Sequence, residues 1–192
     1  MSDDVIDRLA GISAGSALDD VRRRRPEARR HAQASFDGLF QPLDASAMSV
    51  AERAAVALFV ARLHGDAPSE ALYNAMLAEA GGDGLRDAVL AQAGRGAARG
   101  PYGSYPPGPL SREDVAGPNL RVADDTLGVR LAAALAHSHM LVFHPRDAAP
   151  HHLEALAAAH WSADGMVTLS QLVAFLSFQI RVAAGLRALA AV

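Results

Sequence analysis

The sequence predicts an all-α protein, and three observations carry the prediction: alanine and leucine dominate, β-branched residues are thin, and apolar positions recur at three- and four-residue intervals. No segment alternates apolar and polar residues well enough to form a strand. The 192 residues are 51% hydrophobic, enough to fill a compact core, which excludes disorder as a whole. The expected organisation is a single helical domain, 1–192, with halves at 1–93 and 120–192 joined by a Gly/Pro-rich loop at 94–119.

Each element follows from local signals. After the acidic start Met1-Ser2-Asp3-Asp4, residues 16–25 have helical composition, and Pro26 stands where proline fits the first turn of a helix running toward Phe40. The basic run Arg22, Arg23, Arg24 and Arg25 with Arg29 and Arg30 reads as a helix face paired with Asp19, Asp20 and Glu27, in preference to a phosphate-binding patch. Ser49 and Glu52 have the spacing of a capping box, and Gly65 lies just past the expected helix end at His64. Val56, Phe59, Val60 and Leu63 form an apolar stripe on that helix. Further helices are expected at 69–80, ending at Gly81-Gly82, and at 85–93.

From Gly94 to Asn119, eleven glycines and prolines cannot continue a helix. A loop of this length is either functional or wraps the surface, and Tyr102 and Tyr105 give it apolar area to bury. Asp124-Asp125-Thr126 then reads as an acidic cap before a helix to Phe143, which His144-Pro145 terminates. Pro150 opens a helix to His160, and Ser162 caps a last helix of more than twenty residues. Leu169, Leu172, Val173, Leu176 and Ile180 line one side of it, and Val167, Ala174, Phe178, Val182 and Leu189 the other, so burial on two faces is expected. Between them Ser170, Ser177 and Arg181 form a narrow polar stripe suited to a subunit interface or a wet cavity. A shift of 113 residues brings Ser49 onto Ser162 and Phe59-Val60-Ala61 onto Leu172-Val173-Ala174, a faint internal repeat.

Composition narrows the function. A formal charge of −3 gives no reason to expect nucleic acid or an anionic membrane as partner. All eighteen basic residues are arginine, which removes Schiff-base chemistry and lysine general bases. Cysteine is absent, which removes disulfides, thiolate metal sites and sulfenic-acid intermediates. No signal-peptide core follows the N-terminus, and Gln171, Gln179, Arg181 and Arg187 interrupt the apolar run 166–189, so a cytoplasmic protein is expected.

The segment from Glu52 through Ala57-Leu58-Phe59-Val60-Ala61 to His64-Gly65-Asp66 resembles the helix and turn of the carboxymuconolactone decarboxylase / alkylhydroperoxidase D (AhpD-like) superfamily. The closing run Leu169-Ser170-Gln171-Leu172-Val173-Ala174-Phe175, with Phe178-Gln179, Arg181 and Gly185-Leu186-Arg187, resembles the last helix of its two-part, peroxidase-related branch. The resemblance implies an AhpD-like helical bundle, assembly from several identical subunits and no cofactor. In active members a glutamate, a Cys-x-x-Cys pair and a histidine reduce peroxides. Aligned on Ala57-Leu58, those positions fall here on Ala54, Asp66, Ser69 and Tyr73, and all four differ. A serine hydroxyl is un-ionised at neutral pH and has no comparable redox ladder, so thiol peroxidase activity is expected to be absent.

Histidines and acidic residues are the remaining groups suited to chemistry. His137, His139, His144, His151, His152 and His160 crowd one region, with His137, His139 and His144 the weak candidates for a metal site. Their spacing favours structural roles: His144 on helix-terminal carbonyls, His151 and His152 in a first turn, His160 closing a helix. No Gly-x-Ser-x-Gly motif supports a serine nucleophile. His64, Asp66, Tyr73 and His137 are the candidates for acid–base work, while Glu52 already serves a cap. The leading expectation is an oligomeric small-molecule-binding or accessory protein. A cofactor-free decarboxylase-type enzyme and a metal-dependent oxidoreductase using the histidines are the alternatives.

Overall fold

The computed structural model describes residues 4–123 and 125–191; Met1, Ser2, Asp3, Asp124 and Val192 lie outside the described residues. Among the described residues the chain is all-α: helices α1 (Val5–Ala10), α2 (Ala17–Arg23), α3 (Pro26–Phe40), α4 (Val50–His64), α5 (Ala67–Glu79), α6 (Arg86–Arg95), α7 (Gly128–Phe143), α8 (Pro150–Ala158) and α9 (Ala163–Ala190), with no strand beyond one isolated bridge between Gly103 and Val115.

The helix α4 is the axis of the molecule. Ser49 accepts from the Glu52 N–H at 3.2 Å while the Glu52 carboxylate accepts from the Ser49 N–H at 2.8 Å, the expected reciprocal cap, and Gly65 closes the other end at φ 66°. Residues 53–61 are buried all round, so the expected stripe is one side of a wholly enclosed helix. It packs against α3, α5, α6, α7 and α9. The one charge in that stretch, Arg53, donates to the carbonyls of Met48 at 2.9 Å and Leu39 at 2.8 Å, which satisfies a guanidinium that could not otherwise be enclosed.

Several boundaries differ from expectation. The acidic start holds a helix, α1, capped by Asp4 and buried through Val5, Ile6 and Leu9. Six residues are too few to show a period, and burial of that face is what holds them. Asp66 caps α5, so the helix begins two residues before Ser69, and α6 runs on through Gly94 and Arg95. The N-cap of α7 is Leu127, with no side-chain cap; of the acidic triplet, Asp124 lies outside the described residues, and Asp125 and Thr126 form a turn. Helix α8 ends at Ala158, and His160 follows it with φ 65°.

The basic run is no free patch. Arg22 bonds Asp4 at 2.8 Å and Asp7 at 2.9 Å, and Arg29 reaches Asp19 at 2.9 Å and also Asp7, so α1, α2 and α3 are tied by a network that encloses Asp7. The long loop is also tied down. Tyr102 donates its N–H to Phe143 O at 2.6 Å, Ser104 N–H donates to Asp147 at 3.0 Å, and the Arg146 guanidinium lies 4.2 Å from the centre of the Tyr105 ring.

Helix α9 packs on α1, α3, α4, α7 and α8 through Leu169, Leu172, Val173, Leu176 and Ile180, all buried as expected. Its other side is not covered: Val167, Phe178 and Leu189 are about half exposed, which corrects the two-face expectation. By length and composition α9 is apolar enough to cross a membrane, the one such helix among the described residues, and 39% of its most apolar stretch is buried inside the fold.

Candidate functional site

Of the positions aligned with the family motif, Asp66 and Ser69 stand at the start of α5, Tyr73 lies further along it and Ala54 is on α4, and all four are buried. Ala54 is inside α4 with no exposure. Asp66 accepts from Ser69 twice, from N–H at 3.2 Å and from the hydroxyl at 2.6 Å, and also pairs with Arg187, which donates to Leu9 O at 2.8 Å. Tyr73, fully buried, stacks on Phe40 with ring centres 5.4 Å apart and donates its hydroxyl to Gln179. Burial pushes the Tyr73 hydroxyl well above its ordinary range, so it stays protonated. Gln179 is itself enclosed, and its Nε2 has no partner among the described residues. The structure therefore brings Asp66 and Ser69 together, ties Tyr73 to Gln179 instead, and encloses all three as hydrogen-bonded core.

His64 stands apart from this cluster. Its Nε2 lies 3.3 Å from Ser177 Oγ on α9. Burial lowers its pKa, the nearby Arg181 charge lowers it further, and Asp66 opposes them, so the ring favours its neutral form.

The candidate metal histidines diverge. His139 faces Gly96 O at 3.0 Å, while His144 faces Asp147 at 3.1 Å and Pro118 O at 2.9 Å. Both hold the loop that follows α6 against α7, at Gly96 and Pro118, and the expected helix-terminal carbonyl role of His144 is replaced by this clamp. His137 Nε2 lies 3.5 Å from Ser170 Oγ. Among the described residues no three His, Cys, Asp or Glu side chains converge as a metal would need. His151 and His152 stand in the first turn of α8, where His152 Nδ1 accepts from Ala149 N–H at 3.1 Å.

The polar stripe of α9 opens onto a groove of about 870 Å³ between α9, the end of α7 and Pro101. Leu141, Val142, Val173, Phe178 and Val182 make apolar walls, and Ser170, Ser177 and Arg181 supply the polar groups. Ser170 and Ser177 each touch a histidine, His137 and His64 respectively. Arg181 is exposed and has no carboxylate within ion-pair distance among the described residues. The arrangement suits an apolar body with an anionic group near Arg181. It does not suit a serine nucleophile, because both serines lie inside a helix whose backbone N–H groups are already bonded and offer no oxyanion hole.

The sequence matches no protein-family model, and no curated protein matches it. The groove's wall from Pro101, Leu141, Val142 and Pro145 lay outside sequence reasoning, since it depends on how the loop folds back on α7. The stripe at 170, 177 and 181 was legible from its spacing of seven and four.

Proposed function

We propose that the chain is a cysteine-free member of the AhpD-like superfamily that binds a small apolar molecule carrying an anionic group along α9, and that it is no thiol peroxidase. The groove with its Ser170, Ser177 and Arg181 stripe is the observation that carries this reading. Two further features support it. The family-aligned positions Asp66, Ser69 and Tyr73 are consumed by packing, and no thiolate exists to accept oxygen from a hydroperoxide. The exposed Val167, Phe178 and Leu189 continue the apolar surface of the same helix, which supports assembly into a homo-oligomer around it.

Matched dyes test the proposal. 8-Anilinonaphthalene-1-sulfonate is an apolar anion, and N-phenyl-1-naphthylamine is the same skeleton without the sulfonate. Saturable fluorescence enhancement is expected with both, and several-fold tighter binding of the sulfonate. Equal affinities, or no saturable binding, would refute the reading. Peroxide consumption with dithiothreitol as donor is expected to equal the buffer blank.

A cofactor-free acid–base enzyme is the second reading, and one observation favours it: the neutral His64 imidazole touches Ser177, a hydroxyl in the groove wall. His64 then carries the proton, since Asp66 and Tyr73 are engaged elsewhere. Turnover of a carboxylated ring substrate lost in His64→Gln would establish it.

A further inference from the structure

Helix α9 carries a stripe that the fold leaves uncovered: Val167, Gln171, Ala174, Phe178, Val182, Gly185 and Leu189. All are exposed except the half-buried Val182, and none is charged. Eleven residues make three helical turns, so Val167, Phe178 and Leu189 fall on one line along the helix. The other four lie within about 40° of that line, at about 100° per residue. Phe175 on one flank is buried, and Ser170, Ser177 and Arg181 on the other border the groove.

The spacing of the stripe is the same in both directions. Outward from Phe178, its positions come at four, seven and eleven residues on either side. An antiparallel pair of identical helices requires this, because a two-fold axis at Phe178 sets each position against its mirror in the other copy. Val167 then faces the partner's Leu189, Ala174 the partner's Val182, and Gln171 the partner's Gly185. The two Phe178 rings meet on the axis. A face without charge over seven positions calls for an uncharged face opposite, and its own copy supplies one.

Gly185 points the same way. It sits inside a helix, where glycine is poorer than alanine, yet a methyl group there would meet nothing within 4 Å. Nothing in the single chain calls for glycine at this position, whereas the long Gln171 of a second copy laid across it does.

The area sets the strength of the contact. From Val167 to Leu189 the stripe is about 33 Å long, and a helix about 10 Å wide laid on it covers on the order of 350 Å² per protomer. That is under half of the ~800 Å² that a standard interface takes from each partner, so the contact is reversible and not obligate.

We propose that the chain forms a reversible two-fold dimer through antiparallel α9 helices centred on Phe178. Ala174, Phe178 and Val182 belong to both stripe and groove, so the second α9 also walls the groove. The dimer specifies the assembly proposed above, and its test needs no dye, so either reading can fail alone.

The chain has no cysteine, so single introduced cysteines report the register. Under copper–phenanthroline oxidation, Phe178→Cys is expected to give disulfide-linked dimers several-fold faster than Val129→Cys, an exposed position on α7 that measures random collision. Val167→Cys alone and Leu189→Cys alone should stay at that background, because each is about 33 Å from its own copy, while the two mixed should cross-link. Sedimentation velocity of the unaltered chain should show a monomer–dimer equilibrium that Phe178→Asp abolishes. A wild-type chain monomeric at every concentration, Phe178→Cys at the collisional background, or Val167→Cys that cross-links alone would each overturn the proposal. So would a monomer that floats with phosphatidylcholine vesicles, which would assign the stripe to lipid.

Discussion

The imidazole of His64 lies 3.3 Å from the hydroxyl of Ser177, and the two residues are 113 positions apart, the offset that also superposes the Ser49 cap of α4 on the Ser162 cap of α9. The contact joins the C-terminal end of α4 to α9 beside the groove, but the repeat does not extend past it: the same offset lays the start of α5 on Ile180, inside the single helix α9.

Tyr73 and Gln179 predict a cost confined to stability. Tyr73→Phe removes the hydroxyl that Gln179 Oε1 accepts and leaves a wholly buried amide with no partner, so unfolding free energy should fall by about 1–3 kcal/mol. Adding Gln179→Met, of similar shape and without the orphaned amide, should recover part of that loss. Urea denaturation of the three proteins measures both.

Asp66 should behave as a cap and an ion-pair partner. Asp66→Ala removes the acceptor for Ser69 N–H and leaves Arg187 without its carboxylate, and should cost about 1–2 kcal/mol, mostly from the cap because Arg187 is partly solvated. Asp66→Asn retains the cap and should cost less. Thermal melts rank them.

His137 predicts acid sensitivity. Burial and His152 lower its pKa to about 4 from 6.5, so between those values the unfolded chain binds a proton that the folded chain refuses. Stability then rises with pH across this window and is lost as pH falls through it. His64 and His139, also lowered mainly by burial, add slope of the same sign. The urea midpoint should drop between about pH 6.5 and about pH 4.5, and His137→Gln should flatten that dependence.

His144 predicts control of the loop. Its ring faces Pro118 O and Asp147, and Tyr102 lies 5.2 Å from it, so His144→Ala should loosen residues 96–119 without unfolding α7. Trypsin cleavage after Arg112 should accelerate several-fold while the circular dichroism of the helices is retained.

What the sequence disclosed was local. Ser49 with Glu52, Pro26, Gly65 and Ser162 mark helix ends through contacts within four residues, and the structure places helix boundaries at each. Helix α1 was missed because its six residues are held by tertiary burial and by the Arg22 and Arg29 ion pairs. The N-cap of α7 is Leu127 and not Asp125 or Thr126, since a cap-like composition does not fix where a helix starts. The second apolar face of α9 could be read from its period, but not that the single chain leaves Phe178 and Leu189 exposed. Tyr73–Gln179 and Asp66–Arg187 join residues more than a hundred positions apart, and no spacing rule reaches that far.

If Asp66, Ser69 and Tyr73 are structural and the groove at Ser177 and Arg181 binds the ligand, the two sets respond separately, and one crossed titration tests this most directly. Sulfonate-dye affinity and urea stability are measured together for Arg181→Gln and Tyr73→Phe. Arg181→Gln is expected to weaken the dye several-fold with stability unchanged, and Tyr73→Phe to lower stability with affinity unchanged. Dye binding that is lost in Tyr73→Phe while the protein stays folded, and kept in Arg181→Gln, would contradict the account.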